Sequence, residues 1–334
     1  MTHTPPSTFP EAGAWPTGRR VVVFGGTGFL GFNLTKALAR AGAAVTVASR
    51  GITRAARPIP HGVSVATADL ADRAALEKLL VGADAVFMLA GSTGAIESTA
   101  APLDDIRANL VGHVNLLEAW RSVGCSARLI VGSSRLVYGR PLRNPVDESH
   151  PTEPTSAYGI NKLAAEKYHR LYHELHGVRS TILRIPVAYG PDAPRNSTNH
   201  GVVRHFIDHA LASRPIMLYG GGEQLRDFLF VDDLVDAMLR VSADDRTTGM
   251  VLNVGSGAAA RLSELAQAVV CAAGSGEIRS APWPTHARQV ETGDFVADIS
   301  RITSAIGWRP STSLAEGVAR CVRDARERAA AHAP

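Results

Sequence analysis

Two observations predict an α/β fold built on a Rossmann-type doubly wound parallel sheet. From Arg19 onward, apolar β-rich runs alternate with helical-period segments, and parallel strands need such crossover helices. The first run also passes into the first helix through a glycine-rich corner, "FGGTGFLGFN", Phe24 to Asn33. The elements follow in order: "VVVF" with "LTKALARAG", then "AVTVAS", "VSVATA" with "DRAALEKLLVG", and "DAVFMLA". A long amphipathic stretch from Leu103 to Val123 precedes "ARLIVGSS", and a second from Ala157 to His176 precedes "STILRI". Beyond Pro186 the pattern loosens into the turn-rich "AYGPDAPRNSTNHG", a helix to about Ala212, and "VLNVGSG", a returning sheet strand near 250–254. Short helices with a Pro-rich joint at "APWPTH" complete the chain. The expected division is a disordered tail over 1–18, a dinucleotide-binding domain over 19–186, and a smaller, interleaved C-terminal substrate lobe over 187–330.

The bulk numbers suit one large domain or two intimate ones: 334 residues, 45% hydrophobic and 20% charged. A net charge of +4 with interspersed signs and no basic runs argues against nucleic acid and membrane partners. The three cysteines, Cys125, Cys271 and Cys321, are odd in number and far apart. They suggest neither a disulfide framework nor a metal site, and a reducing cytoplasmic setting is the expectation. No apolar run reaches the roughly 18 residues of a membrane span, and "MTHTPPSTFPEAGAWPTG" lacks the regions of a signal peptide.

The glycine spacing is Gly25-x-x-Gly28-x-x-Gly31. One glycine makes the turn, one lets backbone approach a phosphate and one lets helix and strand pack, with the helix N-terminus facing the anion. Such a triplet alone is also compatible with a tight corner, and its place between strand and helix favours the dinucleotide. An NAD site usually has an acid at the next strand end, for the ribose 2′-hydroxyl. Here that end carries Ser49 and Arg50, with Arg54 following, which leans toward the 2′-phosphate of NADP; a solvated Arg50 beside NAD is the alternative. Asp69, after the third strand, suits the adenine amino group, or a cap on the helix beginning near Asp72.

"SAYGINKLAAEK" puts Tyr158 and Lys162 four apart on one helix face. A tyrosine is a poor base near neutrality, and an adjacent ammonium is expected to lower its pKa into a useful range. "LIVGSSRLVYG" brings Ser133 and Ser134 to the carboxyl edge of the sheet, where doubly wound folds bind ligands. A Ser, a Tyr and a Lys in this order beyond a nucleotide turn form a coherent site for hydride transfer at a secondary alcohol.

With these motifs, and with "MLAG", "ANLVGHVNLLEA", "LRIPVAYGP", "YGGGEQLRDFLFVDDLVDA" and "ADISRITSAIGWRPSTSLAEGV", the chain resembles the extended short-chain dehydrogenase/reductases over Arg19 to about Ala325. Within them it resembles the NAD(P)-dependent nucleotide-sugar epimerase/dehydratase group. The resemblance implies Tyr158 as catalytic base, Lys162 tuning it and bonding the nicotinamide ribose, and Ser134 bonding the reacting oxygen. It implies a cofactor lined by Gly25, Thr27, Gly28, Phe29, Leu30 and Gly31, and further by Leu70, Leu89, Ala90, Gly91, Asn109, Ile185 and Val187. Ser92 and Thr93 would join Ser134 on the substrate side; Arg226 and Arg288 would hold its diphosphate and Glu291 its ribose.

Two departures narrow the chemistry. The Asp and Glu that eliminate water in the group's 4,6-dehydratases are here Arg135 and Leu136, and an Asn common in relatives is here Val187. The favoured activity is epimerisation of a nucleotide-linked sugar through transient oxidation of a ring hydroxyl, C4 being the expected carbon, with NAD held tightly throughout. An NADPH-dependent ketoreductase or dehydrogenase of a keto-sugar uses the same three residues once. A non-catalytic dinucleotide-binding regulator has no need of them. By resemblance the two long helices pair with their copies in a homodimer; apolar faces wholly internal to one chain are the alternative. His113, His169, His173 and His176, at helical spacing among polar residues, read as solvated or helix-end side chains.

Overall fold

A computed structural model describes residues 15–50, 58–92, 94–192, 201–284 and 291–331. The strands are β1 (Arg20–Phe24), β2 (Ala44–Ser49), β3 (Ser64–Thr67), β4 (Ala85–Met88), β5 (Arg128–Ser134), β6 (Ser180–Ile185), β7 (Val187–Tyr189), β8 (Pro215–Tyr219), β9 (Leu225–Arg226), β10 (Phe228–Phe230), β11 (Val251–Asn253), β12 (Ala260–Arg261) and β13 (Glu277–Ala281). Seven of them form one parallel sheet in the order β11-β6-β5-β4-β1-β2-β3. The order reverses between β1 and β4, and a doubly wound sheet opens its ligand crevice at that point, outside the strand carboxyl ends. The expected returning strand is β11, paired with β6.

The helices are α1 (Phe29–Arg40), α2 (Arg73–Leu80), α3 (Ala95–Ala100), α4 (Pro102–Ile106), α5 (Gly112–Ser122), α6 (Ala157–His176), α7 (Val202–Leu211), α8 (Val231–Ala243), α9 (Leu262–Ala273), α10 (Ser300–Ile306) and α11 (Leu314–Ala331). Because strand side chains alternate, Val21 and Val23 of β1 join Leu34 and Leu38 of α1 and the apolar side of α8. Val22 and Phe24 face the other way, onto Leu76 of α2 and Leu116 and Trp120 of α5. A third apolar cluster holds the later elements together, with Phe206 of α7, Ile216 of β8, Val269 of α9 and Val318 of α11. β7 with β10, β8 with β13, and β9 with β12 are its small two-stranded pairings.

Three sequence readings change. The amphipathic stretch from Leu103 is α4 and α5 joined by a π turn, Arg107–Val111, with Asn109 inside it; such turns concentrate at functional sites. Of the expected tail over 1–18, Trp15 belongs to the folded body, because its indole donates to Ser242 at 2.8 Å and its ring packs on the first core cluster. Residues 1–14 lie outside the described residues.

The third concerns histidines. His113 and His169 are fully buried and face one another across α5 and α6, His113 Nδ1 lying 2.9 Å from His169 Nε2. The spacing among polar residues hid this because their neighbours on the other helix are distant in sequence. His173 is a helix-end residue as expected, its Nδ1 2.9 Å from the Val178 carbonyl. Burial, with the Lys162 charge, holds His113 well below the ordinary value and pushes His169 down to about 3. Both rings are therefore neutral in the folded chain while either can take a proton once unfolded. Stability is then full above about pH 6.5 and declines as pH falls through it, by at most about 1.4 kcal/mol per histidine per pH unit. Urea midpoints measured from pH 7.5 to 5.5 are expected to fall along this slope and to flatten in His113→Asn; an unchanged slope in that variant contradicts the pairing.

Candidate active site

β1 ends at Phe24 and the chain turns through Gly25, at a φ of +83° that favours glycine. A Cβ there would lie 2.7 Å from the Ala90 nitrogen, and one on Gly31 only 2.2 Å from the Gly25 carbonyl oxygen. Gly28 caps α1 with no side-chain hydrogen bond, so the first-turn amides receive no side-chain acceptor. This is the surface that a dinucleotide diphosphate fits: glycine backbone, no blocking side chain, and the positive end of a twelve-residue helix. Two adjoining cavities meet there, sharing Gly25, Gly28, Leu89 and Gly91.

The cavity of about 550 Å³ is lined by Thr27, Ser49, Arg50, Asp69, Leu70 and Ala90. Thr27 and Ser49 bring their hydroxyls within 3.5 Å of each other, and Arg50 is exposed at the rim. Asp69 accepts from the Ala71 amide at 2.9 Å, while Asp72 is the residue that caps α2. The cavity of about 500 Å³ is lined by Phe29, Leu30, Ser134, Tyr158, Ile185 and Val187, among others. Arg54, Thr93 and Arg288 lie outside the described residues.

Between the cavities, Asn109 is buried beneath Gly91, where a Cβ would come within 2.3 Å of Asn109 Oδ1. Its amide donates to Ser92 Oγ at 2.7 Å and to Asp105 Oδ1 at 2.8 Å, and Oδ1 has no hydrogen-bond partner within the described protein. A buried acceptor without a partner at the lip of a nucleotide cavity suits a ligand hydroxyl. Asp105 ties this group together, accepting also from Ser92 and from Asn161 of α6 at 2.7 and 2.8 Å. Sequence reading missed Asp105 and Asn161; the only signal was an acid four residues before Asn109.

Ser134 ends β5, and Ser156 caps α6 through the Gly159 amide, which presents Tyr158 and Lys162 in the first two turns. Tyr158 and Lys162 are 8% and 6% exposed. Lys162 Nζ donates to the Gly132 carbonyl at 3.1 Å and lies 5.8 Å from the centre of the Tyr158 ring. The three residues are thus brought together as expected. The expected tuning is not: burial pushes the Tyr158 phenol up to about 12, and the Ser134 hydroxyl pulls it only partly back. Burial also brings Lys162 down to about 8, against the opposing charges of Asp105 and Glu166. The spacing identified the partners; the loss of water around a phenolate outweighs them.

Ser133 is not available for chemistry. It donates to Glu166 Oε1 at 2.5 Å, and Glu166 also takes a forked pair of bonds from Arg184, the shortest 2.6 Å. Arg226 and Glu291, both assigned to the substrate, meet each other: Arg226 Nη2 reaches the two carboxylate oxygens at 2.6 and 2.7 Å. Arg135 joins them from the end of β5, donating to Thr292 Oγ1 at 2.9 Å.

The NAD dependent epimerase/dehydratase family model matches residues 21–255. The chain is 33% identical over 242 residues to UDP-glucose 4-epimerase of Mycolicibacterium smegmatis, covering 72% of this chain and 75% of that protein. It is 31% identical over 319 residues to UDP-glucuronic acid decarboxylase 2 of Arabidopsis thaliana, covering 93% and 69%. The crystal structure of Thermus thermophilus UDP-glucose 4-epimerase in complex with NAD superposes with a TM-score of 0.82 at 29% identity, covering 92% of this chain and 99% of that one. A glycine cradle, a Ser134, Tyr158 and Lys162 cluster at the edge of a doubly wound sheet, and a family match spanning both place this chain in the NAD dependent epimerase/dehydratase family.

Proposed function

We propose that this protein is an epimerase of a nucleotide-linked sugar that transiently oxidises a ring hydroxyl, at C4, and reduces the ketone from its other face. The observation that carries this reading is the cluster of Ser134 and Tyr158, which line the cavity that begins at the glycine turn, with Lys162 buried beside the Tyr158 ring. When bound, an oxidised nicotinamide dinucleotide would supply a two-electron acceptor for the carbon and a positive charge to the site. Gly25, Thr27, Gly28, Phe29, Leu30 and Gly31 would hold its diphosphate side; Ser49, Arg50, Asp69 and Leu70 would surround its adenosine; Leu89, Ala90, Gly91, Asn109, Ile185 and Val187 would line the remainder. Ser134 orients the sugar hydroxyl, Tyr158 takes its proton and later returns it, and Lys162 keeps a cation within the dry pocket. A phenol pushed up to about 12 is protonated at neutral pH, so positive charge beside it is needed to stabilise the phenolate that takes the sugar proton; the phenol so formed is the donor that returns it.

The later elements, over 187–330, form the substrate lobe in this reading, with Arg226, Glu291 and Ser92 on its side of the site. UDP-sugar epimerases among the relatives support the reaction class, and relatives bound to NAD support that cofactor. The Ser49 and Arg50 corner, which has no acid, keeps a 2′-phosphate sterically and electrostatically acceptable. Dehydration is disfavoured by Arg135 and Leu136, which supply neither the acid nor the base. A cytoplasmic location belongs to the same reading, and the free thiols of Cys125, Cys271 and Cys321 support it. No helix among the described residues is long and apolar enough to cross a membrane.

Heat-denatured, unsupplemented protein is expected to release NAD(H), and the native enzyme to interconvert one pair of UDP-, dTDP- or GDP-linked sugars without added cofactor. Tyr158→Phe should lose about 10²–10⁴ in kcat while releasing the same nucleotide. Empty sites with turnover only on added NADPH would favour the ketoreductase instead.

We also propose a homodimer through α4, the π turn and α6. Leu103, Val111, Ile160, Leu171 and Leu175 are 42–67% exposed there, a grouped apolar surface of the kind a monomer seldom presents. Light scattering is expected to give twice the chain mass, and Leu171→Glu with Leu175→Glu to halve it; a wild-type monomer contradicts the assignment.

A further inference from the structure

Ser134 lines the cavity that holds Tyr158, whereas Glu291 and Thr292 line a second, open cavity of about 620 Å³ together with Arg140, Asn144 and Asp294. Arg135 lines neither, but it is the chain neighbour of Ser134 and the hydrogen-bond partner of Thr292. It follows Ser134 in the chain, opens the 3₁₀ turn Arg135–Tyr138, and reaches Thr292 Oγ1 at 2.9 Å with its guanidinium 5.4 Å from the centre of the Phe295 ring.

We propose that Arg135 is a ligand for the diphosphate of the substrate, an inference that rests on the nucleotide-sugar reading above. A nucleotide sugar carries its diphosphate between sugar and nucleoside. With the sugar at Ser134 and Tyr158 and the nucleoside in the cavity beyond Thr292, the diphosphate crosses at Arg135.

The local charge supports this assignment. Burial, and then the neighbouring Arg226 charge, bring Arg135 down to about 10, so it remains a cation at neutral pH. Its described hydrogen bond is to a neutral hydroxyl, and no carboxylate among the described residues forms an ion pair with it. Glu291 commits both oxygens to Arg226. The Asp227 oxygens are taken by Ser256, Gly257 and Ala297. Arg226 in turn gives Nη1 to the Leu225 and Gly293 carbonyls and Nη2 to Glu291. Of the two guanidiniums at this junction, Arg135 has more of its donors left, with only Nη1 bonded among the described residues where Arg226 commits both Nη1 and Nη2, and its planar fork matches phosphate oxygens.

The test is calorimetric titration of the full-length protein with UDP, UDP-glucose and UDP-glucuronate, using wild type, Arg135→Leu, Arg135→Gln and Arg135→Lys. Expected is a loss of about tenfold or more for all three probes in the Leu and Gln variants, with partial recovery in the Lys variant. Binding within twofold of wild type in a variant of unchanged thermal midpoint would overturn the proposal and leave Arg135 as a Phe295-stacking residue. A loss confined to UDP-glucuronate would overturn it too, by assigning Arg135 to a sugar carboxylate. If Leu does not fold, Gln and Lys carry the comparison. If wild type binds none of the probes, a uridine nucleotide-sugar reading fails first, and this inference falls with it.

Discussion

Lys162 carries its ammonium into the interior at the carboxyl edge of the sheet, 3.1 Å from the Gly132 carbonyl, and the surrounding residues are arranged about that charge. Removing an ammonium from water costs several kcal/mol unless other groups compensate. Asp105 and Glu166 oppose that cost and Asn109 and Asn161 hold Asp105 in position, while His113 and His169 stay uncharged beside it. The π turn at Arg107–Val111 places Asn109 inside this group instead of on the outer face of a regular helix. Packing of α4, α5 and α6 is thereby tied to the chemistry.

The same edge of the sheet explains why one short segment serves two purposes. β5 runs fully buried to Ser133, whose hydroxyl is locked to Glu166 and so to Arg184 on β6. That lock fixes the strand end from which Ser134 and Arg135 project. Ser134 lines the cavity with the phenol, and Arg135 continues toward Thr292 and Phe295. The glycine turn and the phenol therefore share one pair of adjoining cavities, and the arginine junction is tied to them through the neighbouring positions Ser134 and Arg135.

Much of this was legible in the sequence because it is local. The alternation of strands and helices, the Gly25, Gly28 and Gly31 turn and the Tyr158 and Lys162 spacing each depend on residues a few positions apart. What stayed hidden depends on contacts between distant segments. His113 meets His169 across two helices, Asp105 is an exposed-looking acid until Asn161 closes on it, and Trp15 belongs to the body only because Ser242 is there. The Tyr158 pKa went the opposite way from the local expectation for the same reason: proximity to an ammonium is visible in a sequence, and burial of the whole pocket is not.

The central claim is that one carbon of the sugar is oxidised and then reduced within a closed site, without exchange with water. Incubating the enzyme with UDP-glucose deuterated at C4, in ordinary water, tests this directly. The account predicts that the epimeric product retains the deuterium at C4 and forms more slowly than from unlabelled sugar. Deuterium lost to solvent would contradict it.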